Sequence, residues 1–349
     1  MTHPDSIRQP LVVFFDPKSG RGGGQVVLEE LLARLVGTTS LALVMPIEGR
    51  ASIDIPESVR AYDSRKDFLV EVEQERPVLL VANANASLPD LLRCARSLRR
   101  REQKVRTVAI IHNYPSSRIT ERVTRWCLSH VDLPIVVEPG LTVLSANAAI
   151  PSWLSVIAAE EHVVLNDVAP TGVVKSYARP DRSKGLHLLP EIFAALETTG
   201  LTCRVALGVA LDRQDRYASK LRENLAPWLE SGSRNSAWIE PGDIFIVPSI
   251  AGEAACLSAQ EAMARGAIVV ASRIGLMAYL SPINGGIRTF PVGDTAAATR
   301  AVLQVASWEP DVFADQCRAA SDLARDRAGR WYEDVAAMVV EQTTGLLND

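Results

Sequence analysis

The sequence lacks most of the features that would decide its class at once. Its five cysteines, Cys94, Cys127, Cys203, Cys256 and Cys317, are odd in number and scattered without metal-ligand spacing. That excludes a disulfide framework or zinc ribbon, and the expectation is a cytoplasmic protein with reduced thiols. The net charge of −4 gives no global field pointing to nucleic acid. No cationic, apolar, small-residue leader opens the chain, so no secretory signal is expected. The uncharged stretch 139–159 is interrupted by Pro139, Gly140, Asn147, Pro151 and serines, which argues against a membrane span. Nowhere does D-x-D occur, so the expectation is no metal and no cofactor.

The 349 residues suit two domains, and 47% hydrophobic with 22% charged content is that of a soluble globular protein. Short apolar runs alternate with helical periodicity, the pattern of parallel α/β sheets. The predicted strands of the first half are Leu11–Phe15, Leu41–Met45, Val78–Ala82, Val105–Ile111 and Ile135–Val137. Predicted helices are Val26–Val36, Ser64–Glu75 and Ser87–Arg101. The second half opens with a strand Val173–Ala178, a helix Leu186–Thr198 and a strand Cys203–Gly208.

Three stretches of the first half could carry chemistry. After the first strand comes D-P-K-S-G-R-G-G-G-Q, whose Gly22, Gly23 and Gly24 could turn amides toward an anion or form a plain turn. Gln25 replaces the third glycine of G-x-G-x-x-G, and Lys18-Ser19 precede the glycines, so Walker A fails too. His112 follows the strand Val105–Ile111 at the ligand edge of the expected sheet, or is a structural histidine. Between Arg93 and Arg106 lie six arginines and Lys104 against Glu102 alone. This is either a solvated helix face or a surface for anionic lipid or an anionic acceptor.

The most informative stretch runs from Asp243 to Gly275. Ile244–Val247 reads as a buried strand, Pro248, Ser249 and Gly252 as a loop, and the residues from Ala255 to Gly266 as a helix with its glycine stop. A second buried strand is expected at Ala267–Ala271. Glu253 and Glu261 lie eight positions apart, roughly 12 Å along a helix. Between them the helix start offers free N–H groups at Ala255, Cys256 and Leu257 and a positive dipole end. That pattern suits an elongated anionic ligand such as a diphosphate with a hydroxyl-rich group at each end. Equally, Glu253 could be a dipole partner and Glu261 a solvated side chain.

The pattern P-S-x-x-x-E-x7-E-A-M-A-x-G-x-x-V-V-A-S-x-x-G resembles the donor-site signature of the retaining GT-B glycosyltransferases, family four. The resemblance implies two Rossmann-like domains facing a cleft: 1–168 for the acceptor, 169–329 for the donor, and a helix 330–349 crossing back. It implies that Glu253 touches the transferred sugar and Glu261 the ribose. Arg179 and Lys184, either side of a strand-to-helix turn, then neutralise the donor diphosphate in place of a metal. Gly22, Gly23, Gly24 and His112 are carried over as cleft residues. In the same family L-T-V-L-S-A-N-A (141–148) would form the last strands of the first domain, and Val163–Asn166 would lead into the linker. Ala254-Ala255 depart from the usual Phe-Gly, and the Glu expected near Tyr279 is replaced. The element that frames the base is not recognisable.

The implied activity is transfer of a sugar from a nucleotide-diphosphate donor to an acceptor hydroxyl on a glycan, a lipid-linked species or a small molecule. Partners would be the nucleotide sugar and that acceptor, with no nucleic acid. A peripheral contact with the inner face of an anionic membrane through the Arg93–Arg106 region is also expected. The alternatives are a non-catalytic GT-B module that binds a nucleotide sugar or glycan, and a lipid-type kinase, whose G-G-D-G-T is missing.

Overall fold

The computed structural model describes the chain apart from residues 1–8, 18–22, 52, 74–75, 116, 150–164, 166–167, 209–215, 231–237, 252, 328 and 349. It divides into two compact units, Met1–Leu154 with Arg330–Asp349, and Ser155–Gly329. Each is built on one parallel sheet.

In the first unit the strands are β1 (Leu11–Phe15), β2 (Ser40–Val44), β3 (Arg60–Tyr62), β4 (Val78–Ala82), β5 (Val105–Ile111) and β6 (Leu133–Val136). Their order is β3-β2-β1-β4-β5-β6, every pair parallel. β1 and β4 are buried at all five positions, which is why they read as unbroken apolar runs. Between strands lie α1 (Gly23–Leu35), the short α2 (Ile47–Arg50), α3 (Arg65–Glu71), α4 (Leu88–Arg99) and α5 (Arg118–Leu128). Ser64 caps α3 by accepting from the Asp67 amide at 3.3 Å, and Ser117 caps α5 from the Thr120 amide at 3.2 Å. Leu88, Leu91, Ala95 and Leu98 bury one face of α4 and leave its arginines outside.

The second unit has β7 (Val173–Ala178), α6 (Leu189–Glu197), β8 (Thr202–Leu207), α7 (Arg216–Leu225), β9 (Ile244–Val247), α8 (Leu257–Ala264), β10 (Ile268–Ser272), α9 (Gly275–Leu280) and β11 (Ile287–Phe290). Two helices, α10 (Thr295–Ala306) and α11 (Pro310–Arg327), close it. The sheet order is β11-β10-β9-β7-β8, again all parallel. Val174, Phe193, Ile246, Val270, Phe290 and Phe313 centre its core. The last helix, α12 (Arg330–Asn348), belongs to the first unit, where it packs on α1 and beside β4 and β5 with Trp331 buried.

One expected element is replaced. The stretch 141–148 is not a pair of strands: Pro139–Leu144 forms a 3-10 helix. The cause is Glu138, whose carboxylate accepts from the Gly140 amide at 2.7 Å and the Tyr114 hydroxyl at 2.5 Å, capping the turn that Pro139 starts. Val163–Asn166 lies outside the described residues except for Leu165.

Beside β9 the second core accepts a charge pair. Lys175 and Asp243 meet at 2.7 Å with side chains 4% and 0% exposed. The ammonium also donates to the Trp238 carbonyl at 2.9 Å, and the carboxylate accepts from the Thr171 hydroxyl and Glu240 amide at 2.7 and 2.8 Å. Breaking such a pair from one side leaves a buried charge. Lys175→Met is therefore expected to lower unfolding free energy by about 3–5 kcal/mol, and Lys175→Met/Asp243→Asn by clearly less, read by urea denaturation.

Candidate functional site

In the second sheet β7 and β9 are neighbours whose connections leave in opposite directions, the switch point where open α/β sheets bind ligands. The loop after β7 carries Arg179 and then a 3-10 turn, Arg182–Lys184, closed by Gly185 at φ 64°. Asp181 holds the turn by accepting from the Ser183 amide and hydroxyl at 2.8 and 2.7 Å. Burial works against the Asp181 carboxylate, but the Ser183 bonds and the Arg179 and Lys184 charges hold it below the usual range.

The turn docks on the loop after β9. The Ile250 and Ala251 amides donate to the Ser183 carbonyl at 2.7 and 3.2 Å. Gly185 approaches so closely that a Cβ there would overlap the Pro248 carbonyl oxygen. This docking delivers the Lys184 ammonium to the Glu253 carboxylate, with the lysine side chain a quarter exposed and Glu253 buried. Ser249 donates to the same oxygen, Oε1, at 3.2 Å.

The backbone behind Glu253 is pinned as well. Gly275, at φ 54°, lies where any Cβ would overlap the Glu253 carbonyl, and the Leu276 amide donates to the Ala254 carbonyl at 2.8 Å. Cys256 is left-handed, at φ 51° and ψ 59°, so α8 starts at Leu257 and not at Ala255 as the sequence suggests. Ala255 and Cys256 belong to the preceding turn, which the buried Gln260 side chain closes by donating to the Ala255 carbonyl at 2.6 Å. The free first-turn amides are thus those of Leu257 and Ser258, ahead of the bonds from Ala259 and Gln260 to the Cys256 carbonyl. Burial, and next the Glu253 charge, push the Cys256 thiol well above its ordinary value.

Glu261 lies on α8. Burial and then the Glu261 charge raise the Tyr177 phenol, and Arg179 acts on it in the opposite sense. The structure therefore joins Lys184 to Glu253, and the charges of Glu261 and Arg179 act on Tyr177 in opposite senses. Sequence reasoning missed Ser249, Tyr177 and Gly275; only the P-S and last-glycine positions of the motif hinted at two of them.

In the first unit the switch point falls between β1 and β4, and a buried polar chain crosses it. Asp16, after β1, accepts from Gln25 at 3.1 and 3.2 Å and from Asn83 Nδ2 at 2.8 Å. Asn83, after β4, also donates Nδ2 to the Gly24 carbonyl at 2.9 Å, and its Oδ1 lies 3.1 Å from His112 Nε2, after β5. Gly24 thus touches this chain through its carbonyl, Gly23 begins α1, and Gly22 lies outside the described residues. Gln25, which breaks the glycine pattern, is fully buried as a partner of Asp16.

Residues 172–307 match the family described as Glycosyl transferases group 1. The match covers a little over a third of the chain. The fold of the chain is GT-B, two parallel-sheet α/β domains, like that of solved transferases. HepE of Anabaena, crystallised with UDP and glucose, is 14% identical with a TM-score of 0.70 over 97% of this chain and 99% of that one. Sucrose-phosphate synthase of Thermosynechococcus elongatus is 16% identical at 0.68 over 98% of both chains. The UDP-forming trehalose-phosphate synthase of Burkholderia vietnamiensis is 11% identical at 0.67 over 95% and 100%. A search of curated protein sequences finds no match. Arg179, Lys184, Glu253 and Glu261 all lie within the matched residues.

The orientation of Asn83 fixes a proton in the first unit. Its Nδ2 faces two acceptors, Asp16 and the Gly24 carbonyl, so Oδ1 faces His112 and Nε2 of that ring carries hydrogen. Imidazole 15N shifts are expected to show a protonated Nε2 at neutral pH. Asn83→Leu should remove that constraint and lower stability by about 1–3 kcal/mol by stranding buried partners. A bare Nε2 in the wild type would refute this arrangement.

Proposed function

We propose that the chain transfers a sugar from a nucleotide-diphosphate donor to an acceptor hydroxyl with retention of anomeric configuration. The observation that carries this reading is the Lys184–Glu253–Ser249 cluster, built on two interlocked loops at the switch point of the second sheet. Donor complexes of HepE, crystallised with UDP and with UDP-glucose, make a UDP-sugar the first donor to test.

In this reading Arg179, Lys184 and the amides of Leu257 and Ser258 stabilise the charge that gathers on the leaving diphosphate. An ammonium has three donors, so Lys184 can hold Glu253 and phosphate oxygens together. Glu253 orients the sugar and stabilises positive charge developing at the reacting carbon, while Glu261 binds the ribose hydroxyls. His112, held through Asn83 and Asp16, is the first-unit candidate for acceptor or phosphate contact. The acceptor is a hydroxyl of a glycan, a lipid-linked species or a small molecule.

The two glutamates should separate in kinetics. Glu253→Gln keeps the shape and removes the charge, so kcat should fall by a factor on the order of 10²–10³ with nucleotide affinity nearly unchanged. Glu261→Gln should act on donor KM, by about 1.5–3 kcal/mol for the lost charged hydrogen bonds. The measurement is donor turnover and donor hydrolysis beside calorimetric titration of UDP, GDP, ADP and dTDP. Nucleotide binding without turnover, unaltered by Glu253→Gln, would favour a binding module instead.

A second outcome follows from the diphosphate being met by Arg179, Lys184 and helix amides. Turnover should survive EDTA; a strict requirement for Mg²⁺ or Mn²⁺ would count against the assignment of those roles.

A further inference from the structure

The outer face of α5 in the first unit reverses the usual amphipathic arrangement. Inward it turns Thr124, Cys127 and Leu128, while Ile119, Val123 and Trp126 are 76%, 48% and 57% exposed. Spaced i, i+4 and i+7, these three form one stripe along the helix. Packed against it is α4, and between the two helices runs a groove of about 580 Å³ lined by Leu92, Arg93, Arg96, Arg99, Arg100 and Trp126. Arg118, Arg122 and Arg125 line the exposed side of α5 itself.

The charge on this face is one-sided. Its carboxylates are already engaged: Asp90 with Arg65 and Arg93, Glu121 with Arg125, and Asp132 with Arg99. Among the described residues, Arg96, Arg100, Arg118 and Arg122 have no ion-pair partner. The whole chain is negative at −4, so the patch stands against the molecule's overall charge. No described helix is long and apolar enough to cross a membrane.

We propose that this α4–α5 face docks on an anionic lipid surface, with Ile119, Val123 and Trp126 entering the headgroup–acyl boundary and the arginines on lipid phosphates. An apolar stripe with a tryptophan, flanked by arginines, is the composition of an interfacial helix. Each arginine near an anionic leaflet contributes about 1 kcal/mol, falling off within a Debye length. The other class that would meet the arginines, a free polyanion, gains nothing from an apolar stripe. The proposal rests on the first unit alone and is independent of the transferase reading.

The test is sedimentation of the full chain with phosphatidylglycerol-containing vesicles and with pure phosphatidylcholine vesicles, at low and at physiological salt. Wild type is expected to sediment with the anionic vesicles only, more weakly in salt. Arg96→Glu/Arg100→Glu and Ile119→Ser/Val123→Ser/Trp126→Ser should each lose at least about tenfold in vesicle affinity. Thermal melts check that both variants stay folded, and heparin serves as the polyanion control. Loss of heparin binding in the charge-reversal variant but not in the serine variant supports the split of roles. Absence of wild-type sedimentation at low salt would overturn the proposal. So would a serine variant that sediments like wild type, which would make the face a polyanion site.

Discussion

Every strand pair in both sheets is parallel, and that constraint governs where chemistry can occur in this protein. Parallel strands need crossover connections, so the carboxyl ends of all strands in a sheet collect on one edge. Where neighbouring strands send their crossovers to opposite sides, the covering helices part and leave backbone amides and polar loops unburied by a neighbour. In this chain that happens at β1–β4 and at β7–β9. Asp16, Asn83 and His112 sit at or beside the first; Arg179, Lys184, Ser249 and Glu253 sit at the second. The residues come from distant parts of the sequence, and the sheet order is what assembles them.

The two ion pairs of the second unit show how position decides what a charge pair does. Lys175–Asp243 is sealed, each group supplied with further hydrogen bonds, as a buried pair must be to offset its desolvation. Lys184–Glu253 lies at the carboxyl edge with the lysine partly open, and its geometry depends on backbone packing rather than on burial. Gly185 and Gly275 permit that packing, one against the Pro248 carbonyl and the other against the Glu253 carbonyl. Both adopt positive φ, so a side chain at either would meet strain and overlap together. The site is thus held by two interlocked loops, and its acid is placed before any ligand need arrange it.

The first unit builds its support from one carboxylate and neutral side chains. Asp16 orients the Asn83 amide, and Asn83 orients the His112 ring, so a carboxylate acts on the imidazole through the amide between them. Gln25 completes the chain from the first turns of α1. A glycine there would have fitted a dinucleotide fingerprint; the glutamine instead builds a local support for the end of β1.

How much of this was legible beforehand follows the range of the interactions. β1, β4, β5, β7 and β9 were placed within a residue by their apolar runs, because strands buried on both faces leave no polar alternation to confuse. The E-x7-E spacing marked Glu253 and Glu261, since their separation is set locally by one turn and one helix. The sequence could not show that α8 begins at Leu257, because the turn before the left-handed Cys256 is held by Gln260 and by the approach of Gly275 at the start of α9. The strands expected at 141–148 gave way to a 3-10 helix, because Glu138 caps that turn while held by Tyr114, twenty-four positions away. Nor could the sequence tell Lys184 that its partner lies sixty-nine residues on. Local periodicity determined most of the strands and their parallel α/β class, and spacing with a family resemblance singled out the two glutamates. Which side chains meet was decided by tertiary structure, because hydrogen bonds and ion pairs act over a few ångströms in space, and only the order of the strands brings those ångströms about.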